Sequence, residues 1–240
     1  GGILNQGYLS LFDAVIANNM VVNPGEIDAN GGGIMNDPGA DLTLERVTVS
    51  GNQADYGGGV YNTGGLTVTN STIANNIANV FGGGIQNWDI TSLDFATVAG
   101  NTNNGIQVSG GFVNYFNSLF ASNSGGNIVL HPEVAPGTAL VSYGHNLSSD
   151  GTGNLTQPGD LPNTDPRLGP LASNGGPTPT MALQPGSPAI DAGESEAGPR
   201  TDQRGVAELR AADIGAYEAD QNYFLVTNTN DSGAGSLRQA

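Results

Sequence analysis

Cysteine is absent from the 240 residues, so no disulfide, zinc–thiolate site or thiol nucleophile can enter the fold or its chemistry. Lysine is absent too: the six basic residues are all arginines, set against 22 acids for a formal net charge of −16. Such a surface repels phosphate backbones and anionic lipid headgroups, which sets nucleic acids and membrane surfaces aside as partners. The acidity serves solubility first, with a divalent cation or a basic partner as the functional alternative. No apolar run reaches transmembrane length. The opening Gly1-Gly2-Ile3-Leu4 is neither an initiator Met nor a signal peptide, so a longer precursor is expected. A cysteine-free, acidic chain fits an exported bacterial surface protein.

Glycine is abundant, at 38 residues, without the Gly-X-Y period of collagen, so it serves tight turns between many short strands. The phrase Gly-Gly-apolar-x-Asn occurs at Gly1–Asn5, Gly32–Asn36, Gly58–Asn62 and Gly83–Asn87, and a degenerate copy, Gly105-Ile106-Gln107-Val108, ends the series. Half a repeat later a second Asn closes a short apolar segment, giving Asn19, Asn52, Asn76, Asn101 and Asn123. Between the turns, segments such as Leu66-Thr67-Val68-Thr69 alternate apolar and small polar residues and are rich in β-branched types, as half-buried strands are. A period of about 25 residues with two or three strands per repeat matches one coil of a parallel β-helix, each coil stacked about 4.8 Å above the last. The fold class expected is all-β: a right-handed parallel β-helix, or solenoid, over 1–126, its continuation into an irregular Pro/Gly-rich region over 127–221, and a terminal strand within 222–240.

Stacking gives the two Asn columns a role. In register on successive coils, Asn5, Asn36, Asn62 and Asn87 form one hydrogen-bonded ladder, and Asn19, Asn52, Asn76, Asn101 and Asn123 a second, with the preceding glycines supplying positive φ at the corners. Longer excursions at 21–30 and 36–41 carry Glu26, Asp28, Asp37 and Asp41. They read as solvated loops, with a binding face as the alternative. Tyr61, Phe81 and Trp88 fall near one turn; they read as stacked packing residues or as a platform for a sugar ring.

From about Asn127 the repeat fades and three phrases stand out: Gly144-His145-Asn146-Leu147-Ser148, the run Asp165-Pro166-Arg167-Leu168-Gly169-Pro170-Leu171 leading to Asn174-Gly175-Gly176-Pro177, and Leu183-Gln184-Pro185-Gly186-Ser187-Pro188-Ala189-Ile190-Asp191 leading to Asp202-Gln203-Arg204-Gly205 and Asp213-Ile214-Gly215-Ala216-Tyr217-Glu218. Together with the coils they resemble the choice-of-anchor Q domain family of bacterial surface proteins with pectin-lyase-like β-helices. The resemblance implies secretion, a right-handed β-helix and attachment to the envelope; it implies no particular reaction. In such proteins a phrase like Phe224-Leu225-Val226-Thr227-Asn228-Thr229 opens a module, whereas here it lies near the end of the chain. Phe224, Leu225, Val226 and Thr227 are therefore expected to add a strand to a copy of the chain or to an adjacent module, head to tail, as in a filament or tandem surface array.

The catalytic inventory is thin. Lyases of the pectin-lyase shape place Arg or Lys on the coils beside calcium-holding acids, and the only base on these coils is Arg46. Glycoside hydrolysis needs two carboxylates a few ångströms apart, while Asp13, Glu45 and Asp94 each lack an obvious partner in the sequence. His131 and His145 have no Ser or Cys in a recognisable motif beside them. No catalytic residue is assigned. Asp160 and Asp165, in a loop rich in oxygen ligands, are weak candidates for calcium, the one cofactor worth weighing, but they lack the EF-hand spacing. The function expected is a non-enzymatic extracellular structural or adhesive module; the alternatives are a carbohydrate-active enzyme or a glycan-binding module, with envelope or extracellular glycans as ligands.

Overall fold

A computed structural model of the chain describes residues 1–21, 29–134, 139–195, 201–208 and 210–219. The expected terminal strand, Phe224–Thr227 included, lies outside these residues, as do Glu26 and Asp28.

The chain winds through six coils of a right-handed parallel β-solenoid. The first carries β1 (Ile3–Asn5), β2 (Tyr8–Phe12) and β3 (Val15–Ala17). The second carries β4 (Ile34–Asn36), β5 (Asp41–Glu45), β6 (Thr48–Ser50) and an extra strand, β7 (Gln53–Tyr56). The third repeats that plan with β8 (Val60–Asn62), β9 (Gly65–Thr69), β10 (Thr72–Ala74) and β11 (Ile77–Phe81). The fourth has β12 (Ile85–Asn87), β13 (Ile90–Asp94) and β14 (Thr97–Ala99), and the fifth β15 (Ile106–Val108), β16 (Phe112–Phe116) and β17 (Leu119–Ala121). The sixth has β18 (Ile128–Leu130), β19 (Leu140–Ser142) and β20 (Leu147–Ser148). The first, second and third strands of every coil stack into three six-stranded parallel sheets, and β7 pairs with β11 in a small fourth.

Why these residues make these strands follows from which side chains point inward. In the second sheet alternate positions are buried, Leu42 and Leu44 over Leu66 and Val68. In the first sheet the flanking positions point in, so that Ile34, Val60, Ile85, Ile106 and Ile128 form one column. In the third it is the central residue, Val49, Ile73, Val98 and Phe120. Each such apolar side chain removed from water contributes about 1.5–3 kcal/mol, and an apolar residue at each level continues the column from coil to coil. Tyr115 and Phe120 meet edge to face inside, with centroids 5.5 Å apart.

The repeat reaches one coil further than its motif. β18 pairs in register with β15, Ile128 opposite Ile106. The phrase is disguised because Asn127 stands where earlier coils have glycine. Before the second Asn column the glycines act as expected, with positive φ at Gly51 and Gly100; before the first column the Gly-Gly pair acts differently. Positive φ belongs to the residue before the pair, at Gly31, Gly57 and Gly82. The pair is needed for close approach: a Cβ on Gly83 would lie 1.9 Å from the carbonyl oxygen of Thr102, and one on Gly84 2.3 Å from that of Gly105.

After the sixth coil the chain turns back. β21 (Leu168–Ala172) and β22 (Thr180–Leu183) form an antiparallel pair, and the tail from about residue 165 lies along the outer face of the third sheet. Leu183, Ala189 and Ile214 cover Ala99, Leu119, Ala121 and Leu147. Gln203, fully buried, donates to Thr48 Oγ1 at 2.8 Å and accepts from Thr72 Oγ1 at 2.6 Å. The Ala216 amide donates to Thr97 Oγ1 at 3.0 Å. The outward threonines of three coils are thereby tied to one strap of chain.

Candidate functional site

The two Asn columns are continuous hydrogen-bonded ladders. Asn5 Nδ2 donates to Asn36 Oδ1 at 2.8 Å, Asn36 to Asn62 at 2.8 Å, and Asn62 to Asn87 at 3.0 Å. The second column runs Asn19, Asn52, Asn76, Asn101, Asn123 with steps of 2.9–3.0 Å, and in each step the backbone N–H donates to the same Oδ1. Its end was not legible: Asn123 donates to Asn127 Oδ1 at 2.9 Å, and Asn127 passes the chain on to Ser148 Oγ. The Asn127 side chain, at the close-approach glycine position of earlier coils, fills the place of a ladder Asn for the sixth coil.

Asn76 uses every polar atom of its amide. It donates to Val49 O and Asn101 Oδ1 and accepts from the Asn52 backbone and side chain, all at 3.0 Å. Asn76→Asp keeps the shape but turns two donors into an acceptor facing acceptors. We expect a loss of about 2 kcal/mol, read as a lower urea midpoint with an unchanged slope.

Asp13, Glu45, Asp160 and His145, singled out in the sequence, take structural positions. Asp13 and Glu45 are not solitary: both meet Arg46, whose Nε lies 2.8 Å from Asp13 Oδ1 and whose Nη1 lies 2.5 Å from Glu45 Oε1. Asp13 and Arg46 share a corner column with positive φ, which stacks their side chains one coil apart, and the guanidinium hydrogen bond holds the Asp13 carboxyl below its ordinary range. Asp160 spends both oxygens on the corner it closes, accepting from Ser142 Oγ, the Asn146 and Gln157 amides and Asn146 Nδ2. Asp165 is exposed and accepts from the Arg167 amide. Among the described residues no three His, Cys, Asp or Glu are placed to hold a metal ion. His145 joins a coil corner to the tail, with Nε2 3.2 Å from Glu194 Oε2 and Nδ1 2.9 Å from Ala192 O.

The tail has a buried polar centre that sequence reading did not single out, although its members lie between Asp202 and Glu218, because nothing in the two phrases that hold them shows that they fold onto one another. Arg204 is paired with Asp202 at 2.8 Å, lies 3.8 Å over the Tyr217 ring and donates to the carbonyls of Asn174 and Glu218. Asp202 also accepts from the Val206 and Glu218 amides. Burial pushes the neighbouring Asp213 carboxyl up to about 6 and that of Glu218 up to about 8, each reinforced by the acids around it. This set is enclosed by its own loops and holds the strap together.

Two grooves open on the outer faces. One, of about 450 Å³, crosses the second sheet between Asn114, Phe116, Tyr143 and Asp94, and among the described residues Asp94 is the one carboxylate in its lining. The other, of about 290 Å³, runs along the first sheet. Tyr61 and Gln86, in register on β8 and β12, form its floor. Tyr56 and Phe81, in register on β7 and β11 with centroids 6.3 Å apart, form one wall, and Trp88 and Ser109 stand opposite. The three aromatics picked out in the sequence thus line one groove, and His131 joins its lining.

No described helix is long and apolar enough to cross a membrane. Compared with protein-family models, curated proteins and solved structures, the chain matches none, so its function is read from its own repeats and grooves.

Proposed function

We propose that this chain is a non-enzymatic, extracellular structural or adhesive β-solenoid module that stacks head to tail in a filament or a tandem surface array. The observation that carries this reading is the first coil. β1, β2 and β3 each pair with one neighbour only, in coil two, so among the described residues their other edges carry unpaired backbone donors and acceptors. Leu4, Tyr8, Phe12, Val15 and Met20 are all exposed on the same coil, Tyr8 at 90%. An open parallel edge beside exposed apolar surface is a template for a further strand or coil, and because the two ends of a solenoid differ, the contact is heterologous and does not close. The Phe224–Thr229 segment, outside the described residues, is the candidate for that strand by its sequence. The resemblance to choice-of-anchor Q proteins supports secretion and the envelope as the place of action.

The chemistry available supports a role without catalysis. Arg46, the coil base, is held between two acids, and the groove over the second sheet has, among the described residues, a single carboxylate in its lining, whereas hydrolysis of a glycosidic bond needs a pair.

Electron microscopy and light scattering of the whole chain and of a form lacking residues 222–240 test the reading. We expect head-to-tail assemblies from the whole chain and monomers from the truncated one. Assembly that survives truncation removes the donated strand, and a whole chain that stays monomeric removes the head-to-tail reading. Release of unsaturated or reducing ends from acidic or neutral polysaccharides overturns the non-enzymatic reading.

A further inference from the structure

We infer that the groove over the first sheet is a binding site for an uncharged saccharide of one or two pyranose rings. The inference deepens the adhesive reading, on which it rests, by naming what the module adheres to.

Four observations converge. The groove has aromatic rings on the floor and on both walls, and two of them stay open to solvent although they border a packed sheet: Phe81 at 40% exposure and Trp88 at 49%. Second, the groove holds polar atoms that the fold does not satisfy. Gln86 is buried to 1% exposure and donates from Nε2 to Ser109 Oγ at 2.8 Å, yet its Oε1 has no hydrogen-bond partner. Asn30 Oδ1, in the same lining, is buried without one as well. A buried acceptor left unpaired costs about 1–3 kcal/mol, and the rest of this solenoid satisfies its ladder amides atom by atom. Two such acceptors in one groove ask for a ligand that brings O–H or N–H donors.

Third, among the described residues no lysine, arginine, aspartate or glutamate lines the groove. A uronate or sulfated sugar finds no cationic partner there and meets a chain of net charge −16, so the ligand is uncharged. Fourth, a volume of about 290 Å³ is at the small end of ligand sites, which suits one or two rings and not a long chain lying in a cleft. A pyranose meets all four terms: one face of axial C–H groups stacks on indole or phenyl, while its equatorial hydroxyls donate to amide oxygens.

Trp88 is the one tryptophan in the chain, which makes the groove its own reporter. The probes are uncharged gluco-, xylo-, manno- and N-acetylglucosamine oligosaccharides, oligogalacturonate as the anionic control and choline as the cationic one. The inference expects a saturable change of tryptophan emission with at least one uncharged sugar and none with oligogalacturonate or choline. Phe81→Ala, at a surface position, and Gln86→Met, which keeps volume but removes the acceptor, are each expected to weaken that binding about tenfold or more, while their urea midpoints show the solenoid folded. Should Gln86→Met fail to fold, Phe81→Ala and a calorimetric titration of Trp88→Ala carry the test.

No saturable response to any uncharged sugar overturns the inference, as does preference for oligogalacturonate or choline, or unchanged affinity in Phe81→Ala. The two proposals fail separately. Assembly is read on the open coil edge, which none of these variants touches, and sugar binding is read on the truncated monomer as well as on the whole chain.

Discussion

Gly83→Ala is expected to destabilise the solenoid by about 3 kcal/mol or more. The added Cβ would stand 1.9 Å from Thr102 O and 2.8 Å from Thr102 N. Both are backbone atoms of the next coil, so no flexible side chain can move aside. Relief requires the coils to part, and Gly83 N–H and Gly84 N–H, which bond to Asn103 O and Asn104 O across that gap, would lengthen with it. Gly7 is the internal control: nothing lies within 4 Å of a Cβ built there, so Gly7→Ala should leave stability nearly unchanged. A pair of urea titrations settles the comparison. Equal midpoints for the two variants would mean that the coils breathe enough to admit a methyl group, contrary to the stacking described.

The second large effect is one of pH. Asp213 and Glu218 have folded-state values raised to about 6 and about 8, above those of an unfolded chain, so the native state binds more protons than the unfolded state through that window. Stability therefore falls as pH rises from about 4 to about 8. A tenfold difference in proton affinity is worth about 1.4 kcal/mol, and with partial solvent screening allowed for, the two carboxyls together lose roughly 3 kcal/mol. Asp13 and Asp150 are held below the ordinary carboxylate range; their contribution is lost only as pH drops below about 4. General repulsion at net charge −16 pushes the same way at high pH, so the specific cause is isolated by Glu218→Gln. That variant should gain about 1–2 kcal/mol at pH 9, gain little at pH 5, and flatten the slope between. A slope identical to that of the unmodified chain would place the cause elsewhere.

The coils were legible because their physics repeats. A glycine pair that must admit a neighbouring backbone, an isoleucine or valine that must fill the same space at each level and an asparagine that must bond to its own kind leave the same letters every 25 residues or so. Where the physics changes, the letters change. The sixth coil escaped the motif because Asn127 replaces glycine at the point where the ladder is closed off rather than continued. The strap was illegible for another reason. Thr48, Thr72 and Thr97 read as solvent-facing strand positions, and their partners Pro179, Gln203 and Ala216 lie more than a hundred residues away. The repeat brings Tyr61, Phe81 and Trp88 to one face, but the unpaired oxygens of Gln86 and Asn30 emerge only when the neighbouring amides have been accounted for.

The strap also divides the molecule by the order in which its parts can form. Ladder bonds join residues 22 to 33 apart in the chain, so each coil can be laid on the last at a small and constant cost in loop closure. The strap's bonds to the coils join residues 47 to 156 apart, and the surface they need exists only when several coils are already stacked. The solenoid is therefore free to grow level by level from either side, and the strap is the clasp fastened over finished work, converting a chain of nearest-neighbour steps into one cooperative unit.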